Sequence, residues 1–262
     1  MLLLPPVMAA ARALSEAETK TDKVETTFKS VDAVISAQWD FPGKGLSPLV
    51  VLIPPSGKID RNGWHPALGT APRDGIYAQF ARELLKAGFA VFRFDTPGAG
   101  RSSTGHYVTD RSTAIEAYRR ATDHSRIDPQ RVFLLGHGGG TKAIADIYSR
   151  YQAIQPPAGV VLLSNEVGEQ GITSIASPTL IVVGDATADD RYQLGEFPAD
   201  ARRNAAGGRL KTRLLVIKGG GHTLLSSQAI ASGGLRHSIH PEATKAILGW
   251  LQQHNGPNPG QP

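Results

Sequence analysis

Cysteine is absent from the 262-residue sequence, and this removes several kinds of chemistry at once. The chain can form no disulfide, no thiolate metal site and no cysteine nucleophile. No apolar run approaches the roughly 18 residues that a membrane span needs. The histidines and carboxylates also show no metal-ligand spacing. The sequence therefore predicts no metal, no cofactor and no membrane span.

Charged residues make up only 19% of the chain, and their balance gives a formal net charge of +5. Such a charge is compatible with an anionic partner. However, no nucleic-acid-binding motif accompanies it. The densest basic stretch, within residues 202–213, spans a predicted helix end and strand start. We interpret the charge as a solvated surface and expect no nucleic acid partner.

The two ends of the chain differ in composition from the rest. Residues 1–11 are apolar and end in small residues, as in an export signal, but Pro5 and Pro6 interrupt them and no Lys or Arg precedes them. The tail is rich in Gly and Pro. We expect a flexible or signal-like segment at 1–23, one domain at 24–254 and a disordered tail at 255–262. The compartment stays open, with the cytoplasm favoured and export to the periplasm or medium as the alternative.

Strand-like and helix-like segments alternate from about residue 24 onward. This alternation predicts an α/β fold with a mostly parallel central sheet and helices on both faces. Residues 49–53 are continuously apolar, as expected of a strand buried on both faces. Only a short connection separates the predicted strands 160–163 and 180–183, so no large lid domain fits there. We expect an open site, shaped mainly by the polar loop 54–73.

Three short segments with glycines follow predicted strands. GHGGG at 136–140 joins a strand to a helix, which is the context of the nucleophile elbow G-x-S-x-G. SG at 56–57 follows the third strand, and GGGH at 219–222 follows the last one. With these three segments placed after these strands, the chain resembles the α/β-hydrolase superfamily over roughly residues 24–254. The resemblance implies an elbow at 138, an oxyanion-hole loop at 56 and a catalytic histidine at 222.

Two further segments are similar to those of small bacterial esterase-like and S9-peptidase-like serine hydrolases. VLIPPSGKIDRNG at 51–63 is similar to their H-G-S-G-P-x-D-R-D-G segment, and FRFDTPGAGRS at 92–102 to their R-x-D-x-R-G-x-G-x-S turn. Pro54 and Pro55 stand where that family has His-Gly. The resemblance implies carboxylic-ester hydrolase ancestry and a small-molecule carbonyl or ester ligand.

The position of the nucleophile holds glycine in this chain. Gly138 has no side chain, so the covalent acyl-enzyme route has no nucleophile. A plain strand-to-helix turn is the alternative interpretation of this glycine run. Thr141 lies within the following helix and is expected to point elsewhere. We therefore interpret the turn as an elbow without its serine.

The remaining parts of a hydrolase site have candidates. The backbone N–H groups of Ser56 and Gly139 are the expected oxyanion donors, because Pro55 has no N–H. His222 is the expected general base, since the glycines before it let its loop approach the elbow. Its acid partner is less clear. The family's spacing places Thr187 at that position, and a loop longer by two residues would bring Asp189 there, with Asp185 and Asp190 as weaker candidates.

Trp64 and His65 lie in the long polar loop. We predict that they line a substrate pocket, and the alternative is that they only cover the sheet edge. His137 is interpreted as a packing residue. The sequence does not indicate an oligomeric state.

Four functions remain open from the sequence alone. The first is weak ester hydrolysis through His222 and the oxyanion hole. The second is a binding or scaffold role without catalysis. The third is a lyase or isomerase that uses His222 as a base. The fourth is an active esterase inactivated by a Ser-to-Gly replacement.

Overall fold

The computed structural model describes residues 22–64, 75–205, 207–229 and 235–256. Within these ranges the main sheet is formed by the strands β1 (Asp22–Ser30), β2 (Ala33–Phe41), β3 (Ser47–Ile53), β4 (Ala90–Phe94), β5 (Ile127–His137), β6 (Gly159–Leu163), β7 (Thr179–Gly184) and β8 (Thr212–Ile217). Their order is β1-β2-β4-β3-β5-β6-β7-β8. β2 pairs antiparallel with β1 and β4, and the pairings from β4 through β3 to β8 are parallel.

Helices occupy most of the connections. They are α1 (Ile76–Lys86), α2 (Asp110–Thr122), α3 (Gly139–Asp146), α4 (Tyr148–Ile154), α5 (Glu169–Ile172), α6 (Ala188–Arg191), α7 (Phe197–Ala205) and α8 (Pro241–Gln253). A π-helical turn, Tyr192–Glu196, joins α6 to α7. A small antiparallel hairpin, β9 (Leu225–Ala229) with β10 (Leu235–Ile239), precedes α8. Among the described helices, none has the length and apolar character needed to cross a membrane.

The core lies on both faces of the sheet. Leu49 and Val51 of β3 point into a buried cluster with α2, α3 and α4, whereas Val50 and Leu52 point into a second cluster with α1 and α8. Neighbouring residues of a strand face opposite sides, so a strand covered on both sides is apolar throughout. The predicted architecture is thereby confirmed: a mostly parallel sheet with helices on both faces. Between β6 and β7 the chain forms only the short helix α5, and no large lid domain.

Two buried ion pairs lie next to each other here: one joins the segment after β3 to the end of β4, and the other joins β4 to β2. Arg61 places Nη2 2.8 Å from Asp95 Oδ2 and Nε 3.0 Å from Asp95 Oδ1, and Arg93 Nη2 lies 2.6 Å from Asp40 Oδ2. Burial alone would raise the pKa of Asp95, but hydrogen bonds from Arg61 and from the Arg101 N–H outweigh it and hold that pKa below its usual value. These residues belong largely to the two motif segments. They hold the loop at 54–64 above the ends of the strands.

Some boundaries differ from the sequence prediction. β1 begins at Asp22, two residues before the predicted start at 24. Residues 1–21 and 257–262, which make up most of the predicted terminal segments, lie outside the described residues. The β9–β10 hairpin was missed because β9, LSSQA, is short and polar and carries no apolar alternation.

Candidate functional site

Gly138 forms a sharp turn between β5 and α3. Its backbone has φ 53° and ψ −124°, a conformation that residues with a Cβ rarely adopt. Close packing supports the turn, because a Cβ on Gly140 would lie 2.2 Å from the carbonyl oxygen of Ile53. The backbone thus has the form of a nucleophile elbow and carries no hydroxyl at its tip.

A cavity of ≈ 160 Å³ lies above Gly138. Most of its wall is apolar and comes from the loop after β3, from α1 and from the start of β9: Pro55, Ile59, Gly63, Ile76, Tyr77 and Leu225. Polar side chains converge on it as well: His137, Ser164, Glu166, His222 and Thr223. A larger groove of ≈ 690 Å³ lies between α1 and α8, away from the elbow. The smaller cavity is the better candidate, because apolar walls with a few convergent titratable groups characterise ligand sites.

His222 and Asp190 form a pair at the rim of this cavity. His222 Nδ1 lies 3.1 Å from Asp190 Oδ1, and the Asp190 side chain is 17% exposed against 49% for His222. A carboxylate oxygen accepts a hydrogen bond, so the His222 nitrogen that faces it, Nδ1, must carry the hydrogen. The other ring nitrogen, Nε2, is then an acceptor. Nε2 faces Glu166, whose Oε1 is 3.9 Å away. The imidazole is therefore oriented as a general base would be.

The three candidate acids lie in different places, and the one that contacts His222 is Asp190 rather than the preferred candidate Asp189. Asp190 contacts His222, whereas Asp189 is exposed. Both lie in the single helical turn α6, where successive side chains point roughly 100° apart, so only one of them faces the histidine. Asp185 accepts a hydrogen bond from the Gly219 N–H and so fixes the loop that leads to His222.

Ser56 and Gly139 lie side by side at the mouth of the elbow. A Cβ on Gly139 would lie 3.1 Å from Ser56 N and 2.8 Å from Ser56 Oγ. The Ser56 hydroxyl donates to Asp110 Oδ2 at 2.6 Å. Gly139 is the first residue of α3, where an N–H has no partner within the helix. Their role as oxyanion donors stays a prediction.

Of the two predicted pocket residues of the long loop, Trp64 is the one that lies among the described residues. The described wall of the cavity contains Gly63 rather than Trp64. The Trp64 N–H is tied to Asp60 Oδ1 at 2.9 Å, in the same turn that gives Gly63 its φ of 74°. His65 lies outside the described residues, as do residues 66–74.

Glu166 is the residue that the sequence analysis missed. Its Oε1 would lie 3.2 Å from a Cβ on Gly138, so the carboxylate stands over the empty elbow. Thr141 holds it there, since Thr141 Oγ1 donates to the Gly138 carbonyl at 2.6 Å and accepts from the Glu166 N–H at 3.0 Å. Lys142 Nζ lies 3.7 Å from Oε2. The available signal was the polar tripeptide SNE, residues 164–166, directly after the buried strand β6, because open α/β sheets bind ligands at the carboxyl ends of their strands.

The backbone around the site is strained at two positions. Ser164 has φ 53° and Leu224 has φ 50°, values uncommon for residues other than glycine. The Ser164 hydroxyl donates to the carbonyl of His222, and Asn165 Nδ2 donates to the Leu194 carbonyl at 2.7 Å. The residues after β6 therefore anchor the loop that carries His222 and the π-helical turn that follows α6, the helix of Asp190. Such strain is concentrated at functional sites.

His137 is buried next to the elbow and is held from both sides. Its Nε2 lies 3.0 Å from the Thr223 carbonyl and its Nδ1 lies 2.9 Å from the Tyr77 hydroxyl. A carbonyl only accepts, so Nε2 carries the hydrogen and Nδ1 accepts from Tyr77. Burial lowers the pKa of His137 to about 4. His137 is thus a neutral support that ties the His222 loop to α1.

The burial of His137 predicts a pH dependence of stability. The unfolded chain takes up a proton at this side chain near pH 6.5 and the folded chain near pH 4, so the free energy of unfolding should fall as the pH drops between these values. The expected loss at pH 4 is about 3 kcal/mol. Urea unfolding of the protein and of His137→Gln from pH 8 to pH 4 measures it. Equal losses in both would contradict the assignment.

A metal centre is not built by the described residues. Among them, no group of three or more His, Asp or Glu side chains is arranged to hold an ion.

The comparisons with known proteins agree with this architecture. A family model described as serine aminopeptidase, S33, matches residues 69–189. Among curated protein sequences, none matches this chain.

Several solved structures superpose on nearly the whole chain. An esterase from Pyrococcus furiosus has a TM-score of 0.62 at 14% identity, covering 91% of this chain and 92% of its own. A thermostable carboxyl esterase from Bacillus coagulans has 0.62 at 12%, covering 89% and 99%. A dienelactone hydrolase-like promiscuous phosphotriesterase from metagenomic libraries has 0.60 at 17%, covering 90% and 99%. At these identities the likeness establishes the fold.

Proposed function

We propose that this protein, which has the α/β-hydrolase fold, hydrolyses a small carboxylic ester by direct attack of water, without an acyl-enzyme. The observation that carries the proposal is the His222–Asp190 pair, with Nδ1 3.1 Å from the carboxylate, at the rim of a cavity over a glycine elbow. A histidine oriented in this way is a general base. Because Gly138 has no side chain to act as the nucleophile, the group that His222 would activate is a water molecule.

In the proposed reaction the residues around the cavity act one after another. His222 Nε2 takes a proton from water while the water oxygen attacks the ester carbonyl. The N–H groups of Ser56 and Gly139 donate hydrogen bonds to the oxyanion that forms. The intermediate then expels the alcohol, which receives its proton from His222. Without a serine the turnover should be slow, since oxyanion stabilisation and binding alone supply about 10³–10⁴-fold over water in serine proteases.

The size of the cavity limits the proposed substrate. A volume of ≈ 160 Å³ is below the roughly 300–1,000 Å³ that enclose drug-sized ligands. Its apolar wall fits a short aliphatic or aromatic acyl group. We therefore assign esters of small acids as the substrate class.

A binding role without catalysis is the second candidate. One observation favours it: the carboxylate of Glu166 stands 3.2 Å from the position that a nucleophile's Cβ would take. A ligand that donates a hydrogen bond to Glu166 would be held there without reacting. Turnover by the unmodified protein separates the two functions.

The test measures the hydrolysis of activated acetate, butyrate and benzoate esters by two variants, in each of which one of two neighbouring carboxylates is replaced by an amide. Asp190→Asn should lower kcat on the order of 10- to 100-fold, because the amide no longer fixes the His222 tautomer. Asp189→Asn is the matched control, and it should leave kcat unchanged, since Asp189 is exposed. Equal effects of the two variants, or no hydrolysis by the unmodified protein, would reject the proposed function.

A further inference from the structure

The separation of Glu166 from His222 is the starting observation. Glu166 Oε1 and His222 Nε2 are 3.9 Å apart, which is too long for a direct hydrogen bond. Two polar groups at this distance are readily bridged by a water, which lies about 2.8 Å from each. Both groups are acceptors, because Nδ1 carries the hydrogen of His222 and Glu166 is a carboxylate. A water between them would donate both of its hydrogens.

We propose that Glu166 and His222 together hold the attacking water in the place of the missing serine hydroxyl. Glu166 is then a second catalytic residue, since it contacts the reacting water. This inference rests on the proposed function and deepens it, by stating where the nucleophile binds and which group orients it.

The position of the carboxylate supports this assignment. Glu166 Oε1 is 3.2 Å from a Cβ on Gly138, the atom to which a serine oxygen would be bonded. The bridging water would therefore lie over the elbow, next to the amide of Gly139. The rest of the described wall is mainly apolar, and its His137 ring and Ser164 hydroxyl already have hydrogen-bond partners within the protein. A bound water needs two to four polar partners, and this corner of the cavity offers them.

The local structure holds Glu166 in this position. Thr141 links its N–H to the carbonyl of Gly138, and Lys142 lies 3.7 Å from its other carboxylate oxygen. Its side chain is 29% exposed, so it is only partly solvated. The Glu166 backbone is fixed by Thr141, and the Lys142 ammonium lies on the side of Oε2, so Oε1 is the oxygen that faces the cavity. This arrangement suits a group that orients another molecule.

The chemistry of the step balances without any further reactant. One hydrogen of the water goes to His222 Nε2 while its oxygen bonds to the ester carbonyl carbon. The other hydrogen stays on that oxygen and is hydrogen-bonded to Glu166 Oε1. The carbon–oxygen bond to the alcohol then breaks, and the alcohol takes the proton from His222. The products are the acid and the alcohol.

A crystal structure of the unmodified protein tests the water site without any turnover. We expect an ordered water within hydrogen-bonding distance of both Glu166 Oε1 and His222 Nε2. A direct hydrogen bond between these two side chains, or a position between them without a water, would overturn the proposal.

Kinetics of Glu166→Ala test the role of that water. The variant should lose about 100-fold in kcat with KM changed less than about threefold, as for a group that acts on the attacking nucleophile. Sodium formate should restore part of the rate, because a free carboxylate fits the space that the side chain leaves. Glu169→Ala is the matched control, because Glu169 is an exposed carboxylate at the start of α5, and it should behave like the unmodified protein. A loss without rescue by formate would assign Glu166 a structural role and overturn the proposal.

Isotope labelling separates orientation of water from covalent catalysis by Glu166. In a single turnover in H₂¹⁸O, the label should appear in the product acid and not in the peptide that contains Glu166. Label in that peptide would show attack by the carboxylate itself and would overturn the proposal.

The two proposals can fail separately. If the crystal shows the bridging water but no ester is hydrolysed, the proposed function is wrong and the water site stands. If esters are hydrolysed and no water bridges the two side chains, the proposed function stands and the role of Glu166 is wrong.

Discussion

Replacing Gly138 by serine should raise ester hydrolysis about 10²- to 10³-fold and change its route. The new hydroxyl would stand over the elbow beside His222, which would activate it as a nucleophile. The gain should stay below that of a complete triad, because Cβ would lie 3.2 Å from Glu166 Oε1 and the carboxylate must shift. Stopped-flow assays with nitrophenyl esters should show a burst of one equivalent of phenol in this variant alone.

A second variant distinguishes the serine route from a general effect on the cavity. Gly138→Ala adds the Cβ without the hydroxyl, and it should show neither the burst nor the gain.

Glu166→Ala should have opposite effects on kcat in the two backgrounds. It lowers kcat when residue 138 is glycine, because it removes a partner of the water, and it raises kcat in the Gly138→Ser background, because it relieves crowding. If Gly138→Ser is as slow as the unmodified protein, the His222 and oxyanion geometry does not support serine chemistry.

Replacing His222 by alanine should lower kcat about 10²- to 10⁴-fold, the contribution of a positioned general base. The fold should not change, because the His222 side chain is 49% exposed and its loop is held by backbone contacts to Ser164 and Asp185. Steady-state hydrolysis of the same esters, with thermal unfolding as a check, measures the effect.

The control for this variant is His106→Ala, since His106 is an exposed histidine in the loop before α2. It should keep full activity. Added imidazole should partly restore His222→Ala and leave His106→Ala unaffected. Full activity of His222→Ala would assign hydrolysis to another group and remove the base from the proposed reaction.

The fold was predictable because its signals are local. The apolar run at 49–53 and the glycine turn at 136–140 each report a feature of their own neighbourhood: a strand buried on both faces and a tight strand-to-helix connection. The order of such segments along the chain then leaves few topologies. Hairpin β9–β10 lacked any such signal, since its strands are short and mostly polar.

The candidate site was predictable only in part, because its contacts join distant segments. Which of Asp189 and Asp190 reaches His222 depends on the rotation of one helical turn, and no spacing rule specifies it. Glu166 meets Gly138 only through the pairing of β6 beside β5 and the bridge of Thr141. The sequence showed the glycine at position 138 but not the carboxylate that stands over it.

The backbone conformation of Gly138 affects the free energy of folding as well as the chemistry of the site. A residue with a Cβ at φ 53° and ψ −124° carries strain on the order of 1–3 kcal/mol, whereas glycine adopts this conformation freely. For a domain whose whole stability is typically about 5–15 kcal/mol, that relief is substantial. Glycine is thus the residue that the turn itself prefers, and a serine would be maintained there only by selection for covalent chemistry.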